Sequence, residues 1–242
     1  MLDKPIGRTI FVAVGSFNPA IFHPDWFDRH SILPAEETQT LMAPPTVKKL
    51  PEIGATLEYG KHFLVDPTQA VLNCKAMKFN VQRDKFQIEC EKRDDFPFML
   101  EVIKKIFMLL PETPINAYGF NFHEHLECEE NIQQITTKLF IPTENVQNFC
   151  GENCAYGHSM NFNANSAKIS IDIAASQLVN GGVYFKSNFH HENPGTTNRY
   201  IVETVVKNFE KALNLAEEFI LKFFGNIVRR HDKLYVQEAS LE

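Results

Sequence analysis

The clearest pattern in the chain lies near its end. Between Asn198 and Phe224 apolar side chains recur at Val202, Val205, Val206, Phe209, Ala212, Leu213, Ala216, Ile220 and Phe223, while Glu203, Lys207, Glu210, Lys211, Glu217 and Lys222 take the other side. Spacings of three and four put the first set on one stripe, so the segment predicts an amphipathic helix, about 40 Å long at about 1.5 Å per residue. Thr197 or Asn198 is placed to cap its start and Gly225 to end it.

Ahead of that helix the period changes from 3.6 to two. Ile169, Ile171 and Ile173 alternate with Lys168, Ser170 and Asp172, and Val183, Phe185 and Phe189 alternate with polar neighbours. A third strand is predicted at about 156–162, with Asn163-Ala164-Asn165 and Asn180-Gly181-Gly182 as turn chemistry between strands. The first half repeats the layout. Met77, Phe79 and Val81 alternate with polar residues, Arg83-Asp84-Lys85 turns the chain, and Phe86, Ile88 and Cys90 alternate again. A second amphipathic helix is predicted over about 96–110, with Pro97 in its first turn and Pro111 and Pro114 beyond its end. A strand over 115–122 follows, and Ile10 to Val14 suits a first strand.

One-sided alternation and short turns belong to antiparallel sheet, so the fold class expected is α+β: an antiparallel sheet with two main amphipathic helices on one face. The hairpin-then-helix layout occurs over 70–122 and 156–225, a ββα arrangement that allows duplication at the level of topology although the residues do not align. Residues 1–225 are read as a single domain and 226–242 as a tail without functional weight. The Pro-rich stretch 42–51 is read as a loop, and His23-Pro24-Asp25-Trp26-Phe27 as a short helix.

Composition sharpens this picture in two places. Twenty-one Phe against one Trp imply a large aromatic core. A net charge of −6, with basic residues only in short doublets, makes nucleic acid an unexpected partner. Five cysteines, an odd number, suit reduced thiols and a cytoplasmic location, and no stretch is apolar enough for a membrane span. The lone Trp26 either anchors its segment on the core or serves as a partner contact.

Candidate chemistry is sparse. Gly157-His158-Ser159-Met160-Asn161 approaches the nucleophile elbow of hydrolases, with Asp172 and His190 or His191 downstream. That elbow needs a strand, a tight turn and a helix, whereas alternating strands surround Ser159, so no catalytic residue is assigned. Cys150, Cys154 and His158 form a C-x3-C-x3-H string, and His123, His125 and Cys128 lie together, yet neither completes a zinc pattern. No metal and no cofactor is expected, since phosphate-binding glycine loops are absent too. The remaining candidates are His123 and His125, near the end of one predicted strand, and His190 and His191, near the end of another. If those strand ends converge, four imidazoles form a polar, anion-tolerant pocket.

One resemblance adds to this. Phe79-Asn80-Val81-Gln82-Arg83-Asp84-Lys85-Phe86-Gln87-Ile88, followed by Leu110-Pro111-Glu112-Thr113-Pro114-Ile115-Asn116-Ala117-Tyr118-Gly119-Phe120-Asn121, is similar to a sporadically distributed family of uncharacterised bacterial proteins. The resemblance implies a bacterial protein that ends in a long helix after antiparallel strands; it carries no catalytic motif. The expectation for function is a non-enzymatic binding or assembly protein with a protein partner or a second copy of itself. Two alternatives remain open: an enzyme or small-ligand binder built on the histidines, and a component of a bacterial anti-phage or conflict system.

Overall fold

The computed structural model describes residues 7–50, 55–59, 62–128, 157–193, 198–224 and 228–230. Alternation decides the strands. In β1 (Gly7–Gly15), Thr9, Phe11 and Ala13 are buried on one face, while Arg8 and Val14 are exposed on the other. The same split runs through β5 (Gln69–Asn73), β6 (Met77–Gln82), β7 (Lys85–Cys90), β8 (Ile115–Cys128), β10 (Ala167–Ala175) and β11 (Val183–Glu192). The short β4 (Phe63–Val65) and the more exposed β9 (His158–Ala164) stand at the two ends.

Among the described residues these strands form one antiparallel sheet in the order β4-β5-β6-β7-β1-β8-β11-β10-β9. β1 and β8 are the central pair; β7, β6 and β5 run outward from β1, and β11, β10 and β9 run outward from β8. The hairpin joining β9 to β10 turns through Asn165 and Ser166, both with positive φ (51° and 63°), the pair of left-handed residues that matches strand twist in a two-residue turn.

Register puts Phe11, Ile88, Phe120 and Phe189 in one row on the same face. That face is covered by α3 (Phe96–Leu109) and α4 (Arg199–Phe224). Phe107 of α3 meets Phe11 and Phe86 at ring-centroid distances of 6.0 and 5.3 Å, and Phe209 of α4 meets Phe120 and Phe122 at 5.2 and 5.7 Å. The helices touch through Phe96 and Phe209, edge to face at 5.3 Å. Near the β4 end, α1 (Pro24–Arg29) sets Phe27 against Phe79 at 5.2 Å, and α2 (Ala35–Met42) follows. The phenylalanine excess is thus a two-layer aromatic core, and the expected α+β architecture with both main helices on one face is what the chain adopts.

Four local expectations are corrected. Part of the Pro-rich stretch is strand: β2 (Thr46–Leu50) begins just after Pro44 and Pro45 and pairs with β3 (Ala55–Tyr59). Proline lacks the N–H donor and fixes φ, and both are tolerated immediately before a strand. β8 continues six residues past Phe122, because Glu124 and Leu126 turn to the buried face while His123 and His125 turn away from it. The region read as a tail contributes β12 (Val228–Arg230), which pairs with Leu126, Glu127 and Cys128 of β8. α2, β4 and β5 were not foreseen. Thr197 and Gly225 lie outside the described residues; Asn198 does precede α4, its carbonyl accepting from Val202 N–H at 3.1 Å.

Candidate functional site

The face of the sheet opposite the helices is polar, and register orders its side chains into rows. Arg8 on β1 pairs with His123 on β8, which pairs with Lys186 on β11; one step along, His125 pairs with Tyr184. Antiparallel pairs at one level share a face, so these five side chains are neighbours. The loop after β10 folds over one end of this group. There Ser176 N–H donates to Gly182 C=O at 2.8 Å, and Gly182 N–H donates to Val179 C=O at 3.0 Å. Gly182 has no room for a side chain, since a Cβ would stand 2.5 Å from Leu126 C=O.

Together these elements line an open cavity of about 630 Å³. Arg8, Lys78, Glu89, Glu91, His123, His125 and Tyr184 line it from the sheet, and Ala174, Ala175, Gln177 and Leu178 line it from the end of β10 and the loop. The size falls within the range of small-molecule sites, about 300–1,000 Å³.

Its polar groups are held in place. His123 Nδ1 and the Tyr184 hydroxyl are 2.5 Å apart, and His125 Nδ1 lies 2.8 Å from Ser176 Oγ. The Tyr184 ring lies over His125 with centroids 4.8 Å apart. Lys78 Nζ meets Glu91 at 3.0 Å, and the Arg8 guanidinium lies 3.7 Å from Glu89. Burial, helped by the positive charges of Arg8 and Lys186, pushes His123 down to about 4, and burial with Arg8 also lowers His125. Both imidazoles are therefore neutral at physiological pH. Burial raises the Tyr184 phenol, which keeps its proton there.

The four candidate histidines do not converge. β8 and β11 run antiparallel, so the end of β8 meets the beginning of β11: Leu126 pairs with Val183, and Ala117 with Glu192. His123 and His125 share the cavity. His190 is on the same face but four residues beyond Lys186, roughly 13 Å along the strand. It borders a shallower hollow of about 380 Å³ with Asn161, Asn163, Lys168, Ser170 and Asn188. His191 points to the helix side, 4% exposed and stacked on Tyr118 at 5.1 Å. The Tyr118 hydroxyl is shared with Thr204 Oγ1 at 3.0 Å and Asn208 Nδ2 at 2.6 Å. His191 thus belongs to a buried polar cluster beneath α4.

The other candidates also find places. Trp26 is half-buried, its ring 5.6 Å from Phe22 and 5.3 Å from Phe27, as the anchoring reading expects. Ser159 stands within β9 and donates to Asp172 Oδ1 at 2.7 Å, while Lys186 approaches the other Asp172 oxygen at 3.6 Å. Its adjacent His158 faces the opposite side of the strand, so the hydrolase elbow has neither its bend nor its base here. Cys150 and Cys154 lie outside the described residues. Among the described residues no group of three His, Cys, Asp or Glu side chains is placed to hold a metal ion.

Arg8, Lys78, Glu89, Glu91, Ser176 and Tyr184 were not singled out from the sequence. Each sits at a polar position of an alternating strand or in a loop, a signal shared by dozens of solvated residues; only register distinguishes them. No protein-family model matches the chain, and no curated protein matches it.

Proposed function

We propose that the protein is a bacterial, cytoplasmic binding protein that receives a small ligand on the open face of its sheet. The observation that carries this reading is the cavity at Arg8, His123, His125 and Tyr184, about 630 Å³ in volume and lined by polar groups already fixed in orientation. Preorganised donors and acceptors lower the entropy lost on binding, which is what separates a binding site from an ordinary solvated strand face. The resemblance over residues 79–88 and 110–121 supports the bacterial setting. Two thiols held far above their ordinary range, Cys74 at about 12 and Cys90 at about 11, chiefly by burial, suit reduced rather than disulfide-forming cysteines.

A fragment titration followed by backbone amide NMR tests the reading. Shifts should gather at Gly7, Arg8, His123, His125, Ala174 and Tyr184. Shifts gathering instead at Trp26, or in the separate hollow at Glu37 and Cys74, would overturn it.

An assembly role is the second reading, favoured by β9. This terminal strand of the sheet pairs only with β10 among the described residues, carries neither Pro nor Lys, and leaves Phe162 38% exposed. Light scattering across a concentration series decides it: a mass that remains that of one chain excludes pairing of two copies through this edge.

A further inference from the structure

The hydrogen bonds around the cavity determine which atoms its histidines offer to a ligand. Ser176 Oγ accepts from Leu178 N–H at 3.1 Å and from Val179 N–H at 2.8 Å. Two acceptor sites are then used, so the hydroxyl hydrogen is what remains for His125 Nδ1 at 2.8 Å. His125 Nδ1 is the acceptor. A neutral imidazole has one N–H, and on His125 it must be on Nε2.

The same logic applies to His123. Its ring and the Tyr184 phenol are both neutral, so each holds one hydrogen; a phenol O–H is the stronger donor and an imidazole nitrogen the stronger acceptor, and the short 2.5 Å contact is the one that pairing makes. Tyr184 then donates to Nδ1, and His123 too carries its hydrogen on Nε2. Neither Nε2 has a hydrogen-bond partner among the described residues. Beside them the Arg8 side chain is 49% exposed, and its closest carboxylate contact among the described residues, to Glu89, is 3.7 Å, longer than a direct hydrogen bond. One end of the cavity therefore presents three sources of N–H, with the Glu89 carboxylate set 3.7 Å from one of them.

We infer that this end binds the carboxylate of a small organic acid, with Arg8, His123 and His125 donating to its oxygens. The inference rests on the reading that the cavity is the binding site, and names the ligand class. Three features select it. A planar carboxylate suits a guanidinium flanked by fixed N–H donors. Glu89 and Glu91 line the same cavity, so a dianion such as phosphate meets repulsion that a single charge meets less. The volume exceeds what an inorganic anion fills, and Ala174, Leu178 and the Tyr184 ring offer apolar contact to an organic body.

The test uses the full chain at neutral pH, with benzoate as probe and inorganic phosphate as comparison. Long-range proton–nitrogen NMR reads the imidazole tautomers directly, and calorimetry reads affinity. Both rings should show the Nε2–H form, and benzoate should shift their ring signals with a Kd of about 1 mM or tighter. Arg8→Gln, with its circular dichroism unchanged, should weaken benzoate about tenfold. Rings in the Nδ1–H form, tighter binding of phosphate than benzoate, or undiminished benzoate binding in Arg8→Gln would each overturn the inference. If fragments other than acids move the amides of the cavity while benzoate does not, the binding site stands and the carboxylate assignment fails. If nothing moves those amides, both fail.

Discussion

Phe209 joins three elements of the core, and its removal is the most direct measure of how the helix layer is held. The ring is 3% exposed and packs against Phe96 at the start of α3 and against Phe120 and Phe122 on β8, at 5.3, 5.2 and 5.7 Å. Two of these contacts are edge-to-face, with interplanar angles of 79° and 80°. Truncating a buried Phe to Ala costs about 3–5 kcal/mol, from lost transfer energy and the cavity left behind. Oriented aromatic pairs add about 0.5–1.5 kcal/mol each, not fully, since neighbouring rings relax. We therefore expect Phe209→Ala to lose about 4 kcal/mol, a large share of a stability of about 5–15 kcal/mol. Urea unfolding followed by far-ultraviolet circular dichroism measures it, with Phe162→Ala on β9 as reference. Phe162 is 38% exposed, so its truncation should cost about 1 kcal/mol or less. If Phe209→Ala costs no more than Phe162→Ala, the aromatic contacts do not clamp α4 to the sheet and the account of the core is wrong.

Gly119→Ala should destabilise by about 1–3 kcal/mol, because the added methyl would stand 2.5 Å from the Phe189 carbonyl oxygen with only backbone around it; thermal unfolding checks this. The folded chain holds His123 at about 4, below the unfolded value of about 6.5, so neutral His123 contributes stability above about pH 6.5 that is lost as pH falls toward 4. His125 and His191 shift in the same direction. The urea midpoint should therefore fall less between neutral pH and about pH 5 in His123→Gln than in the parent chain; equal falls would refute it. Ser176→Ala removes the acceptor for two loop amides and should cost about 1 kcal/mol while speeding hydrogen exchange at Leu178 and Val179. Cys74 and Cys90 should resist alkylation in the native chain at mildly alkaline pH and react on unfolding, as peptide mapping would show.

Where a pattern repeats over many residues, the sequence is sufficient. α4, α3, β6, β7, β10 and β11 each bury one regular stripe or face, and all are legible from spacing alone. α2 is not, because only Thr38 and Leu41 of its eight residues are buried and no side chain caps its start. β4 has three residues, too few to show a period. β8 looked finished at Phe122 because His-Glu-His reads as a solvated end, yet Glu124 is 4% exposed on the helix side. The site was half legible. That His123 and His125 share a face follows from their spacing of two; that Arg8, Lys186 and Tyr184 join them depends on strand order and register, which no local pattern encodes.

The position of the cavity in that strand order also explains what can vary there. Arg8, Lys78 and Glu89 come from β1, β6 and β7, and Glu91 from the residue after β7, on one side of the central seam. His123, His125, Tyr184 and Ala174 come from β8, β11 and β10 on the other, so neither set of strands contains the site alone. The helix face has little latitude, since its rings interlock and each truncation there costs several kcal/mol, on the order of the values that unfold marginal proteins. The open face is different: its side chains are partly solvated, and a change at Arg8 or Tyr184 disturbs a hydrogen bond rather than a packed core. Under the proposed binding role, ligand preference can therefore shift by substitution on this face while the fold persists, so long as the backbone approach at Gly119 and the β1–β8 register are kept. Stability and the proposed recognition thus occupy opposite faces of one sheet, and the side the helices leave open is where a ligand is to be sought.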